Sequence, residues 1–280
     1  MAGNLENLIT KGFMTEWLKD YGLGGVIYNN VLTKKLTGRD RGDVITFPGV
    51  GEDITIVTNR PNTTPLAPNF VDGRKAQVTL DNDAEIRVDF RRTQLSMSAY
   101  EGIISEYKEG IKRKRDMNID IVIAKRVAQS PNTTKQITAA AMATPQNAYD
   151  FANQLIGLVL AELPKGETGN CFLECDFFFE NLLKQFYRLN VTANTGLFEK
   201  DGKLFLSGFE ICRTPAIFND GTHKNIFAHT KEAIGFASSL SDMWFGRDTT
   251  YNSNVLLGTD NFGANTINGK YVALGKYQPS

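Results

Sequence analysis

The chain has 280 residues, room for one large domain or two modest ones, and 41% of them are apolar, which excludes a disordered chain and allows a real core. Lysine plus arginine equals aspartate plus glutamate at 31 each. That balance argues against a dedicated nucleic-acid binder, which carries a basic excess, and leaves little long-range repulsion between identical copies.

Residues Met1 to Thr37 begin with a short amphipathic segment whose face is marked by Leu5, Leu8, Ile9, Phe13 and Trp17. Gly22-Leu23-Gly24-Gly25 breaks it, and an apolar stretch from Val26 to Leu32 follows. The next feature is a basic patch of Lys34, Lys35, Arg39 and Arg41. It reads as a solvated turn; contact with an acidic partner surface or a polyanion is the sharper alternative.

From Gly42 to Phe90 the pattern changes to period two. Strands are expected at Val44–Phe47 and Ile54–Val57, and the stretch Asn59 to Arg74 is rich in Pro, Asn, Thr and Gly. Val78 and Leu80 alternate with polar neighbours; after Asp81-Asn82-Asp83, so do Ile86, Val88 and Phe90. The pattern predicts a long antiparallel arm with few residues to fill a core. An isolated two-stranded ribbon is marginal in water, so such an arm needs an outside surface to lie on.

Ser98 to Gln129 then reads as one long helix, with Ser98 and Glu101 as a capping box. Its apolar stripe runs through Tyr100, Ile103, Ile104, Tyr107 and Ile111. After the basic run Lys112 to Arg115 it resumes at Met117, Ile121, Ala124 and Ala128, widened by Ile119, Ile123 and Val127. Ser130-Pro131-Asn132 stops it. At 1.5 Å per residue this helix is roughly 48 Å long, a strut along which other elements must lie.

Ile137 to Met142 is expected as a short transition. Thr144 caps a second helix with Pro145 at its first position, and Ala148, Phe151, Ala152, Leu155, Val159 and Glu162 set its face. Pro164-Lys165-Gly166 ends it. Cys171 to Cys175 reads as an apolar strand, Glu180 to Leu189 as a third helix, and Leu204 to Ile211 as a strand pair interrupted at Gly208. Asn225 to Ala228 is a predicted strand, Thr230 to Ser238 a predicted short helix, and Tyr251 to Tyr277 a run of strands and Gly-rich turns. The sum is α+β.

The motifs of catalysis are missing. The nearest string to a phosphate-binding loop, Gly263 to Lys270, has one residue too many between its glycines and lacks the hydroxyl residue after its lysine. No nucleophile elbow and no His-Glu-x-x-His occurs. The two histidines, His223 and His229, fall in a predicted loop and strand, where structural roles outweigh a base or ligand pair. Asp81, Asp83 and Glu85 lack the glycine and final glutamate of a calcium loop and read as a turn. Cys171, Cys175 and Cys212 cannot form an even disulfide framework, and with no second cysteine pair they read as buried reduced thiols rather than metal ligands. Phe177-Phe178-Phe179 sits at a strand-to-helix junction, where core packing is the ordinary role. Three glycosylation patterns, at Asn62, Asn132 and Asn190, read as chance without a secretory signal. No stretch approaches the roughly 18 apolar residues of a membrane span. Catalytic, cofactor-binding and metal residues are therefore expected to be none, and no cofactor is implied.

An N-terminal arm, a long two-stranded loop, a spine helix, a compact α/β region and a returning β segment resemble the major capsid protein of tailed bacteriophages, the Hong Kong 97 phage fold. The most specific stretch is Gly202 to Ala237. There Leu204 to Ile211, followed by Arg213-Thr214-Pro215-Ala216-Ile217, is similar to the family's strand-then-proline-loop passage, and Ile226 to Ala237 is similar to its apolar strand, His/Lys and Ala-Ile helix. Gly269 to Leu274 resembles its β close.

The resemblance implies a division into an N-terminal arm (1–41), an extended β loop (42–92), a peripheral domain with the spine helix (93–143), an axial domain (144–222) and a return to the peripheral domain (223–280). It implies a non-enzymatic coat protein that assembles with itself into hexamers and pentamers of an icosahedral shell around phage double-stranded DNA, held nonspecifically. The implied partners are scaffolding, portal and decoration proteins, with no membrane; the implied location is the virion capsid, and the host cytoplasm during assembly. The chain opens with no long helical scaffolding prefix, so a separate scaffolding protein is expected. An encapsulin-like nanocompartment shell keeps the fold and changes the cargo. A tail or decoration protein, and a soluble α+β enzyme with an unrecognised site, are the further alternatives.

Overall fold

The computed structural model describes residues 25–47, 76–91, 97–163, 170–190, 195–248, 250 and 253–279. A one-turn helix α1 (Val26–Asn29) leads into strands β1 (Leu32–Thr37), β2 (Val44–Phe47), β3 (Ala76–Thr79) and β4 (Asn82–Arg91). Then come the long helix α2 (Met97–Gln129), strand β5 (Lys135–Met142), helix α3 (Pro145–Leu160), strand β6 (Cys171–Cys175) and helix α4 (Phe177–Leu189). Strands β7 (Leu197–Lys200), β8 (Lys203–Leu206), β9 (Phe209–Arg213), β10 (Phe218–Asn219) and β11 (Lys224–Thr230) follow. A 3-10 turn at Lys231–Ala233 precedes β12 (Ile234–Asp248) and β13 (Ser253–Thr266), and a second at Gly269–Tyr271 precedes β14 (Val272–Pro279).

The predicted spine helix is α2, 33 residues long. It begins at Met97, so Ser98 lies inside the first turn and is not the cap. Its buried face also differs from the expected stripe. Ile119, Ile123, Ala124 and Val127 are buried, together with Arg115, Asp116 and Asp120, whereas Met117 is 48% exposed and Ile121 39%. The residues expected to widen the stripe are its centre, and two expected at its centre face outward.

Helix α3 starts as predicted, with Thr144 Oγ1 accepting from Asn147 N at 3.2 Å and Pro145 in the first turn. Ala148, Phe151, Ala152, Leu155, Ile156 and Val159 are buried; Glu162 lies beyond its end. Helix α4 begins three residues earlier than predicted, because Asp176 Oδ1 accepts from Phe179 N at 3.0 Å and caps it. The phenylalanine triplet is thus the first helical turn, with Phe179 buried and Phe177 exposed.

One sheet runs β5-β14-β11-β6-β9-β8-β7, with β10 on β11. Its face carrying Leu173, Phe209 and Ile226 packs on α3 and α4 through Leu155, Phe179 and Leu183. Phe227 and Leu274, on the other face, belong to the core that holds α2 through Ile119 and Ile123. The segment Ile137 to Met142, expected as a transition, is most of edge strand β5. Its partner is the distant β14, running parallel, which local periodicity does not reveal.

A second sheet runs β1-β12-β13-β4. Here the predicted helix at Thr230 to Ser238 is corrected to a 3-10 turn and the start of β12. Ile234, Phe236 and Ala237 are all buried, and a strand covered on both faces reads as an apolar run that mimics a helix segment. The predicted alternation from Asn82 to Phe90 also finds a different home. It is β4, paired antiparallel with β13, not a continuation of the arm's ribbon. The ribbon's base is the antiparallel pair β2–β3, and it has more core than expected, because Ile45, Phe47, Val78 and Leu80 are buried against Ala237. The predicted strand Ile54–Val57, the stretch Asn59 to Arg74, the N-terminal segment Leu5 to Trp17 and the Pro164-Lys165-Gly166 stop lie outside the described residues.

Candidate functional site

The sequence offered few chemical residues, and the structure keeps them apart. His223 immediately precedes β11 and His229 is its penultimate residue, about 20 Å away at strand rise. His223 sits in a turn, its backbone N–H donating to Asp220 Oδ1 at 2.7 Å. His229 is fully buried between Phe172 and Phe227.

Cys171, Cys175 and Cys212 are free and buried. Burial pushes the Cys171 thiol up to about 11 and raises Cys175 and Cys212 as well, so the reactive thiolate is disfavoured at all three. Asp81 pairs with Arg126 of α2, and Asp83 with Arg41 at 3.0 Å. Among the described residues no group of three or more His, Cys, Asp and Glu is placed to hold a metal ion. No helix among them is long and apolar enough to cross a membrane.

The basic patch braces the arm's base. Lys34 Nζ donates to Thr46 O at 2.7 Å and lies 4.9 Å above the Phe47 ring, tying β1 to β2. Asn261 Nδ2 of β13 donates to Arg39 O at 3.1 Å, and Ser239 Oγ of β12 accepts from Arg39 N at 2.9 Å.

What the sequence reading missed is a set of buried polar groups where α1 enters the fold. Asp120 of α2 accepts from Val26 N at 2.8 Å and Tyr28 N at 2.9 Å, capping α1 from outside. Burial raises its pKa to about 6, against the lowering effect of those backbone donors. On the sheet side, Glu174 of β6 accepts from Asn30 Nδ2 at 2.6 Å, and His229 Nε2 lies 3.7 Å from the same oxygen. Farther along α2, Arg115 meets Asp260 of β13 at 2.7 Å, with exposures of 6% and 0%. The available signals were a glutamate inside the apolar run Cys-Phe-Leu-Glu-Cys, and Asp116 and Asp120 four apart within an otherwise apolar helix face. Buried from solvent, these groups tie α1 and α2 to the two sheets.

The exposed side chains are of a different kind. Large apolar groups are exposed at Met117 and Ile121 on α2, at Phe177 and Leu189 at the two ends of α4, at Val44 in the arm's base, and at Phe198 on edge strand β7. Phe198 stacks on Phe205 of β8 with centroids 5.3 Å apart.

No protein-family model and no curated protein matches the chain by sequence. Solved structures match it in shape. The mature capsid of bacteriophage PhiM1 aligns with a TM-score of 0.61 at 13% identity, covering 89% of this chain and 85% of that one. The capsid of cyanophage P-SCSP1u aligns at 0.58 and 11% identity, covering 90% and 86%. The SrpI encapsulin complex from Synechococcus elongatus PCC 7942 aligns at 0.56 and 10% identity, covering 89% and 85%. At these identities the likeness is one of fold, and the fold is the α+β shell-protein fold of the Hong Kong 97 phage.

Proposed function

We propose that this chain is a major capsid protein, a non-enzymatic coat subunit that assembles with itself into the hexamers and pentamers of an icosahedral shell enclosing phage double-stranded DNA. The observation that carries the reading is the end-to-end correspondence with shell subunits, covering 89% of this chain and 85% of the PhiM1 capsid chain. Exposed apolar side chains on α2, α4, β2 and β7 fit a subunit that meets several neighbours.

In this reading residues 1–41 are the N-terminal arm and 42–92 the extended loop that lies over a neighbour. Residues 93–143 and 223–280 form the peripheral domain, and 144–222 the axial domain whose loops meet around the five- and six-fold positions. Contact with DNA is nonspecific and electrostatic. Scaffolding, portal and decoration proteins are its partners, the host cytoplasm is where it assembles, and the virion is where it ends.

Electron microscopy of the purified recombinant protein, alone and co-expressed with its neighbouring genes, tests the reading. Closed shells or rosettes support it. A monomer or dimer at high concentration in both preparations overturns it and reopens the enzyme alternative.

The similarity to the SrpI encapsulin complex favours one second reading, a nanocompartment shell. Particles purified from the native source separate the two. Nuclease-protected double-stranded DNA inside supports the capsid, and a protein cargo without DNA supports the compartment.

A further inference from the structure

Two buried polar atoms are left over where α1 meets the large sheet. Glu174 Oε2 and His229 Nε2 have no hydrogen-bond partner among the described residues. Both residues have no exposure, and they stand on the neighbouring strands β6 and β11 with His229 Nε2 3.7 Å from Glu174 Oε1. The remaining bonds fix what each atom can do. The Thr230 carbonyl only accepts, so His229 Nδ1, 3.0 Å away, carries a hydrogen. Asn30 Nδ2 donates to Glu174 Oε1 at 2.6 Å. With no further proton, the lone pair of Nε2 faces a carboxylate, and two acceptors oppose each other away from water. A single proton removes the conflict wherever it sits. On Nε2 it makes an imidazolium against the carboxylate; on Glu174 it makes a carboxylic acid that donates to Nε2. A second proton would leave a buried imidazolium with no counter-charge.

The surroundings offer no substitute for that proton. Phe172 and Phe227 lie against the imidazole, and Val272 of β14 is its neighbour in register. No lysine or arginine among the described residues pairs with Glu174. Cys212 of β9 stands beside Glu174 in register and Cys175 follows it in the chain; burial raises both thiols and keeps them neutral. On α2, Asp120 adds negative charge when ionised, and Arg115 is taken by Asp260. From α1 comes only the neutral amide of Asn30.

We propose that Glu174 and His229 hold one proton between them in the folded subunit, and that this proton latches α1 to the large sheet. The carboxyl group that shares it is the one that receives Asn30. When the proton leaves in base, the carboxylate and the bare nitrogen repel, and the seat of α1 loosens. The latch is a property of the single subunit and stands apart from the shell reading.

Urea unfolding of the unassembled full-length chain, of E174Q and of H229Q at pH 7 and pH 8 tests it. An unfolded chain releases the proton of histidine at about pH 6.5 and that of glutamate at about 4.3. Above pH 7 the folded wild type therefore holds a proton that its unfolded chain lacks, and it loses stability as pH rises. E174Q puts an amide in place of the carboxyl group, which accepts from Asn30 and donates to Nε2 with no proton to lose. H229Q gives Glu174 a permanent donor. Asp120, at about 6, titrates below this window in all three proteins, and the thiols are common to them. From pH 7 to pH 8 the folding constant of the wild type, relative to either variant, is expected to fall several-fold, up to about tenfold. A ratio that stays constant or rises overturns the latch.

Nitrogen-15 NMR of labelled histidine reads the same proton in the wild type, whatever the variants' stability. The chain has two histidines, so H223N assigns both. At pH 8 Nε2 of His229 is expected to be protonated or hydrogen-bonded, and a bare Nε2 overturns the proposal.

Discussion

Glu174 and Asn30, 144 residues apart in sequence, are joined by a 2.6 Å hydrogen bond from Asn30 Nδ2 to Glu174 Oε1. Glu174 has no exposure, and its second oxygen has no hydrogen-bond partner among the described residues. The bond fastens the end of α1 to the middle of the large sheet. Glu174→Ala leaves the buried Asn30 amide without its acceptor and is expected to cost about 1–3 kcal/mol. Glu174→Gln keeps an acceptor and is expected to cost clearly less. Urea midpoints of the two variants check this; equal losses would mean that the charge beside His229, not the bond to Asn30, is what stabilises.

Asp120 makes the same segment sensitive to pH. Its folded pKa, about 6, lies above the ordinary value of 3.8, because burial outweighs the backbone donors. The sign follows directly. Between those values the native state holds a proton that the unfolded chain has released, so this group's contribution to stability grows as pH falls through 6 and shrinks as pH rises. Asp120→Asn removes that titration. The stability difference, wild type minus variant, is therefore expected to be larger at pH 4 than at pH 7, by up to about 3 kcal/mol. Chemical denaturation of both proteins at the two pH values measures it, and parallel profiles would refute it.

The long-range architecture was readable because α2 carries strong local signals: a long apolar periodicity and a Ser-Pro stop. Thr144 and Pro145 likewise announced α3 in two residues. The failures share a different cause. Strand β5 is held by β14, and β4 by β13, partners that no local window contains. Ile234, Phe236 and Ala237 look helical because both faces of β12 are covered. Met117 and Ile121 fit the apolar period of α2 as well as Ile119 and Ile123 do. Only tertiary packing decides which of them faces inward. The buried carboxylates were hidden for the same reason, since Asp120 and Glu174 gain meaning from Val26, Tyr28 and Asn30, which are far away in sequence.

Gly263 marks where β13 crosses the arm's base. A Cβ there would lie 1.9 Å from the carbonyl oxygen of Thr79, a backbone atom that cannot swing aside. Gly263→Ala must separate β13 from β3, and is expected to cost about 1–3 kcal/mol or more, as overpacking does. Gly157 is the control. It sits exposed within α3 with nothing within 4 Å of an added Cβ, so Gly157→Ala is expected to stabilise by about 0.5–1 kcal/mol. Thermal melts of the two variants should therefore shift in opposite directions.

The arm offers a test in which folding and assembly come apart. Its base is anchored independently of its tip: Val44 pairs with Thr79, Ile45 with Val78, Thr46 with Gln77 and Phe47 with Ala76. Ile45, Phe47, Val78 and Leu80 are buried against the subunit's own Ala237. Replacing Asn59 to Arg74 with a short Gly-Ser closure leaves all of these contacts in place, and shortening a loop changes closure entropy only slightly. The variant is expected to keep the wild-type circular dichroism spectrum and a melting temperature close to wild type. If the tip lies on a neighbouring subunit, the same variant should form few or no closed particles by electron microscopy. Normal shells from the deletion would remove the arm from the assembly mechanism. An unfolded subunit would show instead that the tip supports its own chain.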